Sequence, residues 1–343
     1  MNTQPINRFK PKLSICIASM NREEELTTLV KTLLEQDQQK LIEIVIVDSS
    51  ANKSALLESL LLESHHVYHW TGLPQGVDAD YDLSVKLSKG EYCWTLPDDD
   101  RLVSGAVSTV LAALETGNDL ILLNTAVFDS SYEKLLRKST LEPDSDEKIV
   151  GAVNANNLLP FVGLLTYIGC VVIRKELWLS APTEEFFGSE FIHVGVILSQ
   201  IPLTGLCVVL EPQIEIRYGQ GYWEQRYTQV WWGQWEDLVK KFVTDPDLLS
   251  GWRVQTGIRR VISASIIKAL RFATNSEMRD RLQDNINGTV IEVIASRTVL
   301  ALPAGILNFM FSVFVKIPSR FSTPLFKYDL RRRRFRGHTS TSV

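Results

Sequence analysis

Asp98, Asp99 and Asp100 form a run of three carboxylates directly after a segment that is predicted to be a buried strand. In that segment, residues 92–96, large apolar side chains alternate with small ones, as they do in strands. Neighbouring carboxylates repel one another, and a divalent cation with oxygen ligands would compensate their charge and bring phosphate groups with it. The alternative is a solvated acidic turn, which is common for an isolated acidic run.

Two apolar runs upstream, residues 13–18 and 42–47, are also predicted to be strands, and each ends in polar side chains. Those side chains are Ser19, Asn21 and Arg22 after the first run and Asp48 after the second. Leucines at helical spacing in 26–34 and 56–61 place a helix after each run. This order predicts an α/β fold with a parallel sheet, in which ligands bind at the carboxyl ends of the strands.

Two nucleotide-binding motifs are absent from the sequence. No G-x-G-x-x-G follows the first predicted strand, and no G-x-x-x-x-G-K-[ST] occurs, which argues against a classical dinucleotide site and a P-loop NTPase. The polar segments instead resemble those of family 2 glycosyltransferases with the Rossmann-like GT-A fold, and most closely the abequosyltransferase-like branch. The matching segments are 13–22, 44–50, 76–90 and 90–102, and the resemblance covers roughly the first 220 residues.

The resemblance implies that the first two polar clusters bind the nucleotide of a nucleotide-sugar donor. Ser19 and Asn21, with Arg22 beside them, occupy the loop that lines the nucleotide, and Asp48 matches the acid that hydrogen-bonds the base. The family usually has an aromatic residue where this chain has Met20, so this position offers no aromatic ring for stacking on the base.

The acidic run matches the D-x-D motif of the family. By this resemblance Asp98 or Asp99 contacts the ribose, while Asp100, with Asp98, binds Mn²⁺ or Mg²⁺ on the donor diphosphate. Such an ion neutralises the leaving nucleoside diphosphate and so favours cleavage of the bond to the sugar.

Three acidic residues, Asp78, Asp80 and Asp82, stand where the family commonly has Arg-Asn. Asp82 is expected to point into the donor site. Asp78 and Asp80 are expected to be solvated or to cap the following helix.

An inverting transferase needs a general base beside the acceptor hydroxyl, and the usual Glu-Asp pair is missing from residues 184–193. Glu190 is the first candidate and Glu185 the alternative. His193 would share a helical face with Glu190, as a base, a metal ligand or a core residue. Downstream, Trp223 is the candidate for stacking on an acceptor sugar, although core packing explains most of the tryptophans in that segment.

The expected domains follow the resemblance. A GT-A catalytic domain over 1–222 contains the donor part, 13–102, and the acceptor part, 160–222. A helical region, 223–297, precedes an apolar helix and basic tail, 298–343. Residues 164–174 are expected to form a strand beneath the acceptor.

Composition narrows the partners. The net charge of −4 gives the chain no nucleic-acid character. The four cysteines are widely spaced without a C-x-x-C pair, and residues 1–12 lack the apolar region of a signal peptide, so a cytoplasmic protein with reduced thiols is expected. The apolar segment 298–315, followed by basic residues up to Arg336, is predicted to lie on an anionic membrane surface, or to pack on the catalytic domain, rather than to span a bilayer. A disordered basic tail is the alternative.

The predicted function is metal-dependent, inverting transfer of a hexose-type sugar from a nucleotide-sugar to a glycan or lipid-linked saccharide, in bacterial surface polysaccharide synthesis of the O-antigen type. Two alternatives stay open. A sugar-phosphate nucleotidyltransferase would usually carry a glycine-rich loop with arginine after the first strand, which residues 18–21 do not form. A non-catalytic relative is consistent with Met20 and the missing Glu-Asp pair.

Overall fold

The computed structural model describes residues 11–37, 41–62, 65–141, 148–219 and 229–252, together with 226, 286, 290–303, 306, 309 and 328. The chain divides into two units. The first unit comprises Met1–Ala126 and Ser139–Ile216, and the second comprises Val127–Lys138 and Arg217–Val343. Val127–Lys138 lies between the two segments of the first unit but belongs to the second unit, an assignment that the sequence did not suggest.

Ten strands occur in the described residues, several of them rich in β-branched side chains. They are β1 (Leu13–Ser19), β2 (Ile42–Asp48), β3 (Val67–Trp70), β4 (Tyr92–Thr95), β5 (Arg101–Leu102), β6 (Leu120–Phe128), β7 (Leu135–Arg137), β8 (Lys148–Val153), β9 (Val171–Arg174) and β10 (Leu203–Arg217). They pair in the order β3-β2-β1-β4-β9-β6-β10-β5, with β7 on β6 and β8 on β10. Strands β3, β2, β1 and β4 are parallel, whereas β9 is antiparallel to β4 and β6.

Helices follow the strands. In the first unit they are α1 (Glu23–Gln36), α2 (Ala55–Leu61), α3 (Val77–Leu87), α4 (Ala106–Leu114), α5 (Val162–Leu165), α6 (Lys175–Ser180) and α7 (Ile192–Ser199). In the second unit they are α8 (Trp235–Lys240), α9 (Pro246–Trp252) and α10 (Val290–Ala301). The apolar stripe of α1 is buried as its spacing predicts, and β1, β2 and β4 are almost entirely enclosed.

The amino ends of the central strands are joined by buried polar groups. Ser14 Oγ donates to Glu43 Oε2 (2.6 Å) and accepts the N–H of Gly90 (2.8 Å), and the N–H of Lys89 also donates to Glu43 Oε2 (2.7 Å). A Cβ on Gly90 would lie 2.6 Å from Ser14 Oγ, so only glycine allows this approach. These bonds connect β1, β2 and the start of β4 at the edge opposite to the strand ends that carry the acidic residues.

The strand expected over 164–174 is shorter than predicted. Residues 162–165 form α5, residues 168–170 form a 3-10 turn, and only Val171–Arg174 is a strand. A Cβ on Gly169 would lie 2.9 Å from Pro97 Cδ, so this turn lies against the residue that precedes the acidic run.

Candidate functional site

The carboxyl ends of β1, β2 and β3 are in register. Ser19 pairs with Asp48, and Asp48 pairs with Trp70. Beyond the strands the backbone stays joined, because the N–H of Ser49 donates to Ser19 O and the N–H of Thr71 donates to Asp48 O, both at 2.9 Å. The polar clusters that follow these strands therefore meet at one edge of the sheet.

Asp98 is the best enclosed carboxylate of the acidic run, with 5% of its surface exposed. Ser19 Oγ donates to its Oδ2 at 2.7 Å, and Arg22 Nη1 donates to its Oδ1 at 2.9 Å. The same Nη1 lies 2.8 Å from Asp99 Oδ2. Burial raises the pKa of Asp98 to about 6, although the Arg22 charge acts in the opposite direction. Arg22 thus supplies the positive charge that compensates two of the three carboxylates.

Asp100 is half-buried, and its charge adds to the effect of burial in raising the pKa of the Cys170 thiol. In the part of the chain that the structure describes, no three His, Cys, Asp or Glu side chains form a cluster that could hold a metal. Magnesium sites for nucleotides commonly use one or two carboxylates and leave the remaining positions to phosphate oxygens and water. The acidic run fits an ion of that kind, bound together with a diphosphate, and Asp100 is the carboxylate that could serve as its protein ligand. Both oxygens of Asp98 already accept hydrogen bonds from Ser19 and Arg22.

Asp48 is held in a fixed orientation. Its Oδ2 accepts the hydroxyl of Tyr68 at 2.7 Å, and its Oδ1 accepts both the N–H of Ser50 (2.9 Å) and the Ser50 hydroxyl. Burial and the hydrogen bond to Asp48 raise the pKa of Tyr68. In the first loop, Asn21 adopts a left-handed φ of 58°, and its backbone N–H donates to Ser50 Oγ at 2.7 Å. Asn21 therefore joins the loop after β1 to the loop after β2.

Trp70 is an aromatic residue beside Asp48 that sequence reasoning missed. Its indole N–H donates to Ser50 O at 2.8 Å, and 38% of the residue is exposed. Gly72 packs on the ring, since a Cβ there would lie 2.9 Å from Trp70 Cζ2. Tyr68 and Trp70 alternate in β3 and so point to the same side of the strand, which is the signal that identifies them.

The acidic residues of α3 are buried rather than solvated. Asp82 accepts the indole N–H of Trp178 on α6 at 3.0 Å and pairs with Lys86 at 2.6 Å, so it ties two helices together instead of facing the donor edge. Asp80 accepts the hydroxyl of Ser49 at 2.7 Å. These bonds correct the expectation that Asp82 points into the donor site and Asp80 lies in solvent.

Asp78 contacts the segment that contains the predicted base. Its Oδ2 accepts the N–H of Glu190 at 2.9 Å, and its Oδ1 accepts the N–H of Ile192 at 3.2 Å. Glu190 is half-buried and adopts a left-handed φ of 63° immediately before α7.

His193 lies inside α7, with 1% of its surface exposed. Its Nε2 lies 2.8 Å from Leu165 O, and burial lowers its pKa to about 4. A neutral, enclosed imidazole of this kind is a core residue. Trp223, the candidate for the acceptor, lies outside the described residues.

The C-terminal segment 298–343 also lies largely outside the described residues. In the described part of the chain, no helix has the length and apolar character needed to cross a membrane. All four cysteines are free thiols.

Two relatives are similar in sequence to part of this chain. Abequosyltransferase RfbV of Salmonella typhimurium is 22% identical over 206 residues, which are 56% of this chain and 62% of that protein. The GalNAc(5)-diNAcBac-PP-undecaprenol beta-1,3-glucosyltransferase of Campylobacter jejuni is 27% identical over 141 residues, which are 40% of this chain and 45% of that protein. The chain therefore spans less than two thirds of each relative's length.

Two solved structures have a similar fold over most of this chain. S. aureus TarS 1–349 in complex with UDP-GlcNAc superimposes with a TM-score of 0.55 at 14% identity, covering 94% of this chain and 90% of that one. The mannosyltransferase PcManGT from Pyrobaculum calidifontis, in complex with GDP-Man and Mn²⁺, gives a TM-score of 0.50 at 13% identity, covering 96% and 88%. The fold is thus GT-A, as the sequence predicts. The family model for glycosyl transferase family 2 matches residues 14–177, so these residues, slightly less than half of the chain, are similar to that family.

Proposed function

We propose that the protein transfers a sugar from a nucleotide-sugar donor to a glycan or lipid-linked saccharide in the synthesis of a bacterial surface polysaccharide. The observation that carries this proposal is the set of bonded polar side chains at the carboxyl edge of the sheet, with Ser19, Arg22 and Asp98 on one side and Asp48 on the other. An abequosyltransferase and an undecaprenol-linked glucosyltransferase among the relatives support the acceptor class.

The nucleoside end of the donor is assigned to Asp48 and Trp70. Asp48 is 3% exposed and is fixed by Tyr68 and Ser50, and it would accept an N–H group of a base through a remaining lone pair of its carboxylate. The exposed indole of Trp70, fixed through Ser50 O, offers the stacking surface that the first loop lacks because of Met20. Ser19 and Asn21 line the nucleotide, and Asp99 accepts a ribose hydroxyl.

The diphosphate end is assigned to Asp100, which would hold Mn²⁺ or Mg²⁺ together with the phosphate oxygens. When bound, the ion stabilises the negative charge that develops on the leaving diphosphate. Asp98 accepts hydrogen bonds from Ser19 and Arg22 and so positions the loop that follows β1. In the absence of a bound ion, the charge of Arg22 compensates Asp98 and Asp99.

Glu190 is assigned as the general base that removes the acceptor proton, because it is the carboxylate at the turn before α7 and its side chain is half-buried rather than enclosed. Attack on the face opposite to the leaving group inverts the anomeric carbon. The reaction then needs no covalent bond between the sugar and the enzyme.

The test is a panel of UDP-, GDP-, CDP- and dTDP-sugars with Mn²⁺, scored by release of nucleoside diphosphate. We expect turnover with one donor class and loss of metal-dependent donor binding in Asp100→Ala. Glu58→Gln, an exposed carboxylate on α2, serves as the control and should bind the donor normally. If no donor binds and none is turned over, the proposed sugar-transfer activity is ruled out. Release of pyrophosphate would instead indicate a nucleotidyltransferase. Donor binding without turnover on any saccharide would indicate a binding protein.

We also propose that the C-terminal segment attaches the enzyme to an anionic membrane surface. Supporting this, the described apolar side chains Ile306 and Phe309 within the segment are exposed, as is Ile294 just before it. Deletion of 298–343 should move the protein from the membrane fraction to the soluble fraction. Continued sedimentation of the truncated protein with membranes would contradict the attachment.

A further inference from the structure

The first turn of α3 connects two parts of the proposed site. Asp80 accepts the hydroxyl of Ser49, the residue directly after β2 and next to Asp48. Two residues earlier, Asp78 accepts the backbone N–H groups of Glu190 and Ile192, which are more than a hundred residues away in the chain. One helical turn therefore contacts both the strand end assigned to the donor base and the segment that carries the assigned general base.

The carboxylate of Asp78 is almost completely enclosed. It is 3% exposed, and among the described residues no basic side chain forms an ion pair with it. Burial, with a further contribution from the nearby Glu190 charge, raises the pKa of Asp78 to about 6, although the backbone N–H groups act in the opposite direction. Removing a carboxylate from water without an ion-pair partner raises the free energy of the folded state. The hydrogen bonds that Asp78 accepts from Glu190 and Ile192 must offset this desolvation penalty.

The residue that receives this support has an unusual backbone. Glu190 has a left-handed φ of 63°, and such a conformation in a glutamate persists only where neighbouring groups fix it. Asp78 bonds the N–H groups on both sides of Phe191, with a different oxygen for each. These two bonds set the direction in which the Cα–Cβ bond of Glu190 leaves the backbone.

We propose that Asp78 is a positioning residue that holds Glu190 at a fixed distance from the donor, through α3 and its bond to Ser49. This inference rests on the proposed function, in which Glu190 is the base. Displacing a reacting group by about 1 Å can lower a rate about a hundredfold while leaving substrate binding intact. Asp78 would thus act on the rate of transfer through Glu190, without touching either substrate.

The test is a double-mutant cycle of Asp78→Asn and Glu190→Gln, with kcat and the donor Kd measured for each variant. We expect Asp78→Asn to lower kcat by about ten- to a hundredfold with the donor Kd within about twofold of wild type. In the Glu190→Gln background the same change should lower kcat by less than about threefold, because the group it positions is already lost. The Glu190 amide should also lose protection from hydrogen exchange in Asp78→Asn.

Asp37→Asn is the matched control. Asp37 is also buried and accepts two backbone N–H groups, from Leu41 (2.7 Å) and Ile42 (3.4 Å), but at the amino end of β2. The Asp37→Asn substitution should lower the free energy of unfolding without lowering kcat. If Asp78→Asn does not fold, Asp78→Glu, which keeps the charge and shifts it by one methylene, takes its place with the same expected pattern.

Three outcomes overturn the inference. The first is that the fold reductions in kcat of the two single variants multiply in the double variant. The second is that Asp78→Asn lowers kcat no more than Asp37→Asn does. The third is that the hydrogen-exchange rate of the Glu190 amide is unchanged in Asp78→Asn. Full activity in Glu190→Gln alone would instead remove Glu190 as the base and with it the catalytic role of Asp78. Failure of wild type to bind any nucleotide-sugar would remove the proposed function itself.

Discussion

Replacing Arg22 with glutamine tests how the acidic run is compensated. Arg22 lies 2.9 Å from Asp98 and 2.8 Å from Asp99, whose side chains are 6% and 14% exposed. Removing one partner of a buried ion pair costs about 3–5 kcal/mol, and because the Arg22 side chain is 29% exposed, solvent lowers this to about 2–3 kcal/mol. We expect urea denaturation in the presence of a chelator to show that loss in the free energy of unfolding.

Addition of Mn²⁺ should reduce the difference in the free energy of unfolding between Arg22→Gln and wild type. An ion present at about a hundred times its Kd stabilises any form that binds it by about 2.7 kcal/mol. The variant lacks the neighbouring cation, so it should bind Mn²⁺ more tightly than wild type and regain more stability.

Lys53→Gln is the control for this prediction, because it breaks an exposed pair with Glu58 and should cost less than about 1 kcal/mol with no response to Mn²⁺. An Arg22→Gln loss no larger than the Lys53→Gln loss would refute the buried-pair argument. A loss that stays the same with Mn²⁺ would refute the placement of the ion beside these carboxylates.

Three further substitutions follow from the geometry. Gly169→Ala puts a Cβ within 2.9 Å of Pro97 Cδ, so it should displace the acidic run and weaken donor binding about tenfold by calorimetry; unchanged affinity would show that the run does not depend on this turn. Trp70→Ala should weaken nucleoside diphosphate binding about tenfold, with Trp70→Phe near wild type and the affinity for Mn²⁺-pyrophosphate unaltered; equal affinity of all three proteins would exclude stacking. His193→Gln should keep kcat at pH 7.5. Because burial lowers the pKa of His193 to about 4, its stabilising contribution is present above pH 6.5 and is lost as the pH falls toward 4. The wild-type advantage over His193→Gln in urea melts should therefore shrink by up to about 3 kcal/mol across that interval, and a pH-independent difference would contradict this.

The parallel half of the fold and the position of the acidic run could be predicted from the sequence. Buried strands such as β2 leave continuous apolar runs, and the carboxyl ends of parallel strands share one edge, so Ser19, Asp48 and Asp98 could be placed near one another. The run at 164–170 was wrongly predicted to be a strand, because a short apolar stretch has the same appearance in a buried helical turn.

The burial of the α3 carboxylates could not be predicted. Asp82 is enclosed because Trp178 donates to it, and Asp78 because the N–H groups near Glu190 reach it. These partners are 96 and 112 residues away, and no local pattern indicates such pairings. Trp70 was missed for a different reason, since its exposure depends on how the loop at Gly72 packs against the ring.

The buried bonds among Ser14, Glu43 and Gly90 have a consequence for protein engineering. They fix the alignment of β1, β2 and β4 at the amino edge of the sheet, and a slip of one residue would break all of them. They act in addition to the bonds at the opposite edge, where the N–H of Asn21 joins the loop after β1 to Ser50 in the loop after β2. Exchanging the loops after β1, β2 and β4 for those of a relative with another donor sugar would leave the amino-edge bonds in place, and we expect these bonds to hold the strand register.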